Sequence, residues 1–136
     1  MISLNLAKQI TAIAIQQAKQ QAKQQEFNIC VSVVDQAGLL VHFERMDNAL
    51  LGAIDVAIKK ARTAALFQTN SAELGAIAQP GGAIYTLEAT NGGLISFGGG
   101  GGVILRNEQG NVIGAIGVAG ATVEADEAIA QLAARQ

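Results

Sequence analysis

The side chains in this sequence that could do chemistry fall in a few places. Glu44-Arg45-Met46-Asp47 stands where an alternating apolar segment gives way to a helical one. Such a junction often faces a cleft, where Arg45 could grip a carboxylate through two parallel N–H···O bonds. An internal ion pair and a helix cap explain the same residues without a ligand. Lys59-Lys60-Ala61-Arg62 reads as a solvated helix face, but Lys60 and Arg62 cannot share one face. One of them can therefore turn toward a sheet or a neighbour. Five consecutive glycines, Gly98, Gly99, Gly100, Gly101 and Gly102, mark backbone that must approach something closely. That something is a ligand with phosphate or carboxylate groups, another subunit, or simply tight packing. No Gly-Lys-Ser/Thr follows and a strand comes next, so the run matches no phosphate-loop fingerprint. Asp126 and Glu127 could bring carboxylates near it, although helix-dipole complementarity accounts for them too. His42 is the sole imidazole, so any histidine-based acid–base or metal chemistry passes through it. Cys30 lies between Ile29 and Val31 and is most simply core.

The elements that must position these groups follow from periodicity. Leu6, Ile10, Ile13, Ala14 and Ala18 share one helical face, which predicts a helix over Leu4–Gln25 with Ser3 as N-cap. Phe27–Val34 and Leu39–Arg45 read as strands joined by the turn Asp35-Gln36-Ala37-Gly38. On the second strand Leu39, Val41 and Phe43 point one way and Leu40, His42 and Glu44 the other. Asp47-Asn48 can cap a helix over Leu50–Phe67, with Leu51, Ile54, Ile58, Ala61 and Ala65 as its apolar line. Ser71 reads as the cap of a short helix that ends near Ala78, before Pro80. Strands follow at Leu94–Phe97, Val103–Arg106 and Val112–Val118, and Thr122 caps a last helix. The predicted order is α-β-β-α-α-β-β-β-α. The expected fold is α+β, residues 1–136 forming a single domain with an antiparallel sheet of about five strands flanked by helices.

Composition narrows the function. The 136 residues are 50% hydrophobic but 4% aromatic, so the core is built from Ala, Val, Ile and Leu. A net charge of −2 provides no basic field for nucleic acid or anionic lipid. No signal peptide or membrane-spanning run is expected, and one cysteine fits a reducing compartment, so the expected location is cytoplasmic. A site built from several histidines is excluded.

Val33-Val34-Asp35-Gln36-Ala37-Gly38, Phe43-Glu44-Arg45-Met46-Asp47 and Lys60-Ala61-Arg62-Thr63-Ala64 together resemble the GlcG/HbpS family. Pro80-Gly81-Gly82, the glycine run, Gly114-Ala115-Ile116-Gly117-Val118 and Asp126-Glu127-Ala128 extend the likeness over nearly the whole chain. The same domain occurs at the C-terminus of PduO-type corrinoid adenosyltransferases. The resemblance implies a five-stranded antiparallel sheet, homo-oligomers from dimers to octamers, and links to haem binding, haem-linked redox sensing and corrinoid metabolism. Some haem-binding members use a histidine near the end of the first helix, where this chain has Gln24 and Gln25. His42 is then the expected iron ligand, with Met46, Cys30 or Thr122 as lesser candidates.

The leading expectation is a homo-oligomeric binding protein for haem or a related tetrapyrrole, without self-sufficient enzymatic activity. Arg45, Lys60 and the amides of Gly98–Gly102 would meet the carboxylates of its ligand. One alternative is an enzyme on a small carboxylate or aldehyde, with Arg45 as clamp and Asp47 or Glu127 as general base. Another is a non-catalytic assembly or regulatory partner.

Overall fold

The computed structural model describes residues 1–21, 27–95 and 99–135. Ser3 caps the first helix, its Oγ accepting the Leu6 N–H at 3.1 Å, and α1 runs Leu4–Gln21. The chain then forms β1 (Cys30–Asp35) and β2 (Leu40–Arg45), closed by Asp35, whose Oδ1 accepts the N–H groups of Ala37 and Leu39. Two helices follow, α2 (Ala53–Phe67) and α3 (Ser71–Ile77). After an irregular stretch with one 3-10 turn at Leu87–Ala89 come β3 (Gly102–Arg106), β4 (Val112–Ala119) and α4 (Val123–Ala134). Thr122 caps α4 as expected, accepting the Ala125 N–H.

The strands form one antiparallel sheet in the order β2-β1-β4-β3. It is covered on both faces. Ile10, Ala14 and Ile129 from α1 and α4 pack against Val31, Val33, Val103, Ile116 and Val118 on one side. The other side takes α2, whose Ala53, Ala57, Ala61, Ala64 and Ala65 meet Cys30, Val34, Ala115 and Ala119. Every residue of β1 is buried as a result.

This is the α+β fold the sequence predicts, with corrections. Four strands, not about five, are present among the described residues. Leu94 and Ile95 of the expected Leu94–Phe97 strand are irregular, the Ile95 N–H being taken by Thr63 Oγ1 rather than by a strand, and Ser96 and Phe97 lie outside the described residues. The end of the expected first helix, including Gln24 and Gln25, also lies outside them. In β2, His42 stands opposite Val33 and Leu40 opposite Val34, so Val41 is a bulge. The extra residue sends Val41 to the α1 side and Phe43 to the α2 side, where strict alternation placed them together. Asp47 and Asn48 do not cap α2, which starts after Gly52 with no side-chain cap. Of the expected line Leu51, Ile54, Ile58, Ala61 and Ala65, the two alanines are buried, Ile54 packs at the margin and Leu51 is exposed. The stripe is mostly alanine because the sheet opposite is nearly bare. A Cβ on Gly117 would strike the Ala57 carbonyl, and one on Gly102 the Lys60 carbonyl. Small residues on both sides let helix and sheet backbones touch.

Candidate functional site

The sequence candidates separate into two groups at the same end of the sheet. Arg45 pairs with Cys30 and Cys30 with Ala119, while Gly102 pairs with Gly117, so the end of β2 and the start of β3 lie within two residues of the same level. Three strand spacings, about 14 Å, separate them across the sheet.

The group at the β3 side is closed. Lys60 and Asp126 are 4% and 3% exposed, and Lys60 Nζ donates to Asp126 Oδ2 at 3.2 Å and to the Val118 carbonyl at 3.1 Å. The other Asp126 oxygen accepts the Ala121 N–H at 3.1 Å. Burial raises the Asp126 pKa above the usual carboxylate value, while the Lys60 ammonium and the Ala121 amide pull it back. Glu127 holds the glycine run directly, Oε1 accepting the Gly101 N–H at 2.9 Å and Oε2 the Gln131 amide. Ser71 ties it a second time, donating to the Gly99 carbonyl and accepting from the Gly102 N–H. A Cβ on Gly100 would stand 2.7 Å from Glu127 Cβ, and one on Gly101 would stand 2.9 Å from Lys60 Nζ. Lys60, Gly99–Gly102 and Glu127 thus come together as a packing device that binds β3, α2 and α4. Gly98 lies outside the described residues. Ser71, expected to be a helix cap, was the missed member; its position three residues before Leu74 on α3 carries no signal of that role.

The group at the β2 side is open. Arg45, Met46, Asp47 and Asn48 are shared by two adjoining hollows of about 470 and 550 Å3. Ile15 and Lys19 of α1, Asn28 and Glu44 wall the first, and Ala49 and Leu51 the second. Hollows of this size fall within the roughly 300–1,000 Å3 of ordinary small-molecule sites. Arg45, Asp47 and Lys19 are exposed, and neither cation makes an ion pair among the described residues. Asn48 adopts a left-handed backbone (φ 65°), which turns the chain sharply at the floor of the cleft. Lys19, Asn28 and Asn48 were not singled out from the sequence; the position of Lys19 four residues after Ile15 is what a helix facing the cleft would show.

Each proposed iron ligand has a definite place. His42 is half-buried and does not line the cleft; its Nε2 is 2.9 Å from Glu44 Oε2, and Glu44 does line it. Met46 Sδ accepts the Ile29 N–H at 3.3 Å. Cys30 is fully buried and its thiol pKa is raised by desolvation, against a smaller lowering by Arg45. Thr122 spends its hydroxyl on the α4 cap. Among the described residues no cluster of His, Cys, Asp and Glu forms a metal site, and no helix is long and apolar enough to cross a membrane.

The comparisons with known proteins agree with this fold. A curated relative, an uncharacterized 15.0 kDa protein from the dhaT-dhaS intergenic region of Citrobacter freundii, is 39% identical over 96% of this chain and 95% of its own. The corrinoid adenosyltransferase PduO of Salmonella typhimurium is 39% identical over 85% of this chain, which spans 34% of that protein. Among solved structures, a PduOC:heme complex superimposes with a TM-score of 0.87 and 37% identity, covering 98% of this chain and 93% of that one. The family model for haem degrading protein HbpS-like matches residues 2–135, and the chain belongs to the HbpS-like family.

Proposed function

We propose that this protein binds haem or a related tetrapyrrole in the cleft between α1 and the Arg45–Asn48 segment, and that it works as a self-associating binding protein. The observation that carries this reading is Arg45, an exposed guanidinium without an ion pair among the described residues, at the mouth of a cleft walled by Ile15 and Met46. Cations beside apolar walls suit a ligand with a flat apolar body and carboxylate arms. Arg45 and Lys19 would hold the carboxylates, Ile15, Met46 and Leu51 the apolar body. When bound, haem would supply a redox-active iron centre. The likeness to a structure solved with haem supports the class of ligand.

This reading moves the ligand away from the glycine run, where Lys60 and Glu127 have their partners within the chain. His42 enters through Glu44. A ligating histidine commonly gives its other ring nitrogen to a carboxylate, and the His42 Nε2 to Glu44 contact leaves Nδ1 for a ligand.

The test is a haemin titration of the purified protein beside Arg45→Ala and His42→Ala. Stoichiometric saturation with a defined Soret band, weakened by Arg45→Ala, is the expected result. A Soret band unchanged in His42→Ala would keep the ligand and discard the histidine. Titration without saturation would instead favour a small-carboxylate enzyme with Arg45 as clamp and Asp47 as base, or a partner protein without chemistry.

A further inference from the structure

The two edges of the sheet are treated differently. On β3 the outward N–H groups of Gly102 and Ile104 are taken by Ser71 Oγ and Asn70 Oδ1. That edge is blocked. On β2 the pairs Glu44–Val31 and His42–Val33 bond inward, as the Met46 N–H to Ile29 carbonyl bond fixes. The alternation of an antiparallel ladder then turns the backbone of Phe43 and Arg45 outward. Neither has a backbone partner on that side among the described residues. The strand carries no lysine or proline that would keep another strand away.

We propose that a second copy of this chain pairs with the β2 edge across a two-fold axis at Phe43, and that it completes the cleft of the first. Hydrogen-bond complementarity selects the register, because an imidazole can donate to a carboxylate and two carboxylates cannot pair. With Phe43 opposite Phe43, His42 of each copy stands across from Glu44 of the other. Moving the axis by one residue to either side sets Glu44 against Glu44, or His42 against His42. Only the first register places opposite partners together on the α1 side and the half-buried Phe43 rings together on the α2 side.

The same axis accounts for exposed apolar side chains. Residues a given number of steps after Phe43 on one strand lie beside those the same number before it on the other. The partner's Leu40 and Leu39, 50% and 65% exposed in the single chain, therefore run alongside Met46 and Asp47. There they would wall a cleft that one chain leaves open. This part rests on the proposed ligand reading; the strand pairing does not.

Cross-linking tests the pairing without any ligand. Residues directly opposite in a non-hydrogen-bonded pair have Cβ atoms about 4.5–5.5 Å apart, close to disulfide reach. The double variant His42→Cys/Glu44→Cys is expected to give a covalent dimer on mild oxidation, and neither single variant is. In a dimer of either single variant the two introduced thiols are offset along the strands, their Cα atoms beyond about 7 Å, and cannot bridge. Phe43→Pro, with its lost N–H facing outward, is expected to keep native circular dichroism while the mass in solution falls by the pairing. A double variant that stays uncrosslinked, or a Phe43→Pro protein with unchanged mass, overturns the proposal. Leu40→Ser is expected to weaken haemin binding about tenfold with the cross-link intact. Unchanged haemin affinity in Leu40→Ser would overturn the shared cleft, whereas a wild-type chain that never takes haemin, beside a double variant that does cross-link, would remove the ligand reading and leave the interface standing.

Discussion

Replacing Lys60 with methionine isolates the closed cluster. The side chain keeps its length, so packing against Gly101 and Gly102 is largely preserved, but Asp126 loses the ammonium that offsets its burial. Asp126 is 3% exposed and would retain one neutral donor, the Ala121 N–H, for a buried carboxylate. Breaking a buried pair in this way costs about 3–5 kcal/mol, out of a total of about 5–15 kcal/mol for a domain. At about 3–5 °C per kcal/mol for a chain of this length, the melting temperature falls by roughly 10–25 °C. The sign of the pH dependence follows from the Asp126 pKa, already raised by desolvation and raised further once Lys60 no longer opposes it. A carboxyl whose folded pKa lies above its unfolded value is stabilising below the unfolded value, and that stability is lost as pH rises through the folded one. Lys60→Met is therefore expected to be hurt most near neutrality and to recover toward the wild type in mildly acidic buffer. Asp126→Asn added to Lys60→Met is expected to restore part of the loss at neutral pH. Urea unfolding at fixed protein concentration, near neutrality and in acid, measures both. A neutral-pH loss under about 1 kcal/mol, or a gap that widens on acidification, would refute the reasoning.

Other expectations concern single contacts. Ser71→Ala strands the buried Gly102 N–H and is expected to cost about 1–3 kcal/mol in urea unfolding. Gly102→Ala drives a methyl into the Lys60 carbonyl; a loss of at least about 2 kcal/mol, seen by the same assay, is expected. Thr122→Ala removes the α4 cap at a cost of about 1 kcal/mol, readable as a modest fall in melting temperature. Arg45→Ala is expected to leave stability unchanged, since Arg45 is exposed at a strand end.

The parts of the fold legible in the sequence were those set by local signals. The Asp35 turn, the Ser3 and Thr122 caps and the apolar faces of α1 and β1 all follow from nearest neighbours. The face of α2 was legible only in part, at Ala61 and Ala65. Periodicity favours the larger residues, so Leu51, Ile54 and Ile58 outweigh alanine, yet Leu51 is 74% exposed. The countersignal was in the partner strands, where Gly102, Ala115 and Gly117 leave room only for an alanine helix. The β2 bulge was equally hidden, because an unpaired Val41 is decided by the strand opposite. Of the site, Arg45 and Asp47 were found from their place between a strand and a helix, and they do meet in one cleft. Lys60, Glu127 and the glycines were found by type, but not the contacts they make with one another and with their neighbours. Their partners Ser71 and Asp126 come from α3 and α4, and nothing in the spacing tells a ligand from a closed network of this kind.

The central claim is that the Arg45 cleft, not the glycine run, receives the ligand. It is tested most directly by haemin affinity in Arg45→Ala beside Glu127→Gln. Loss of a charge-assisted contact at Arg45 predicts about ten- to hundredfold weaker binding, with Glu127→Gln within about threefold of the wild type. Unchanged affinity in Arg45→Ala, with a large loss in a folded Glu127→Gln, would contradict the account.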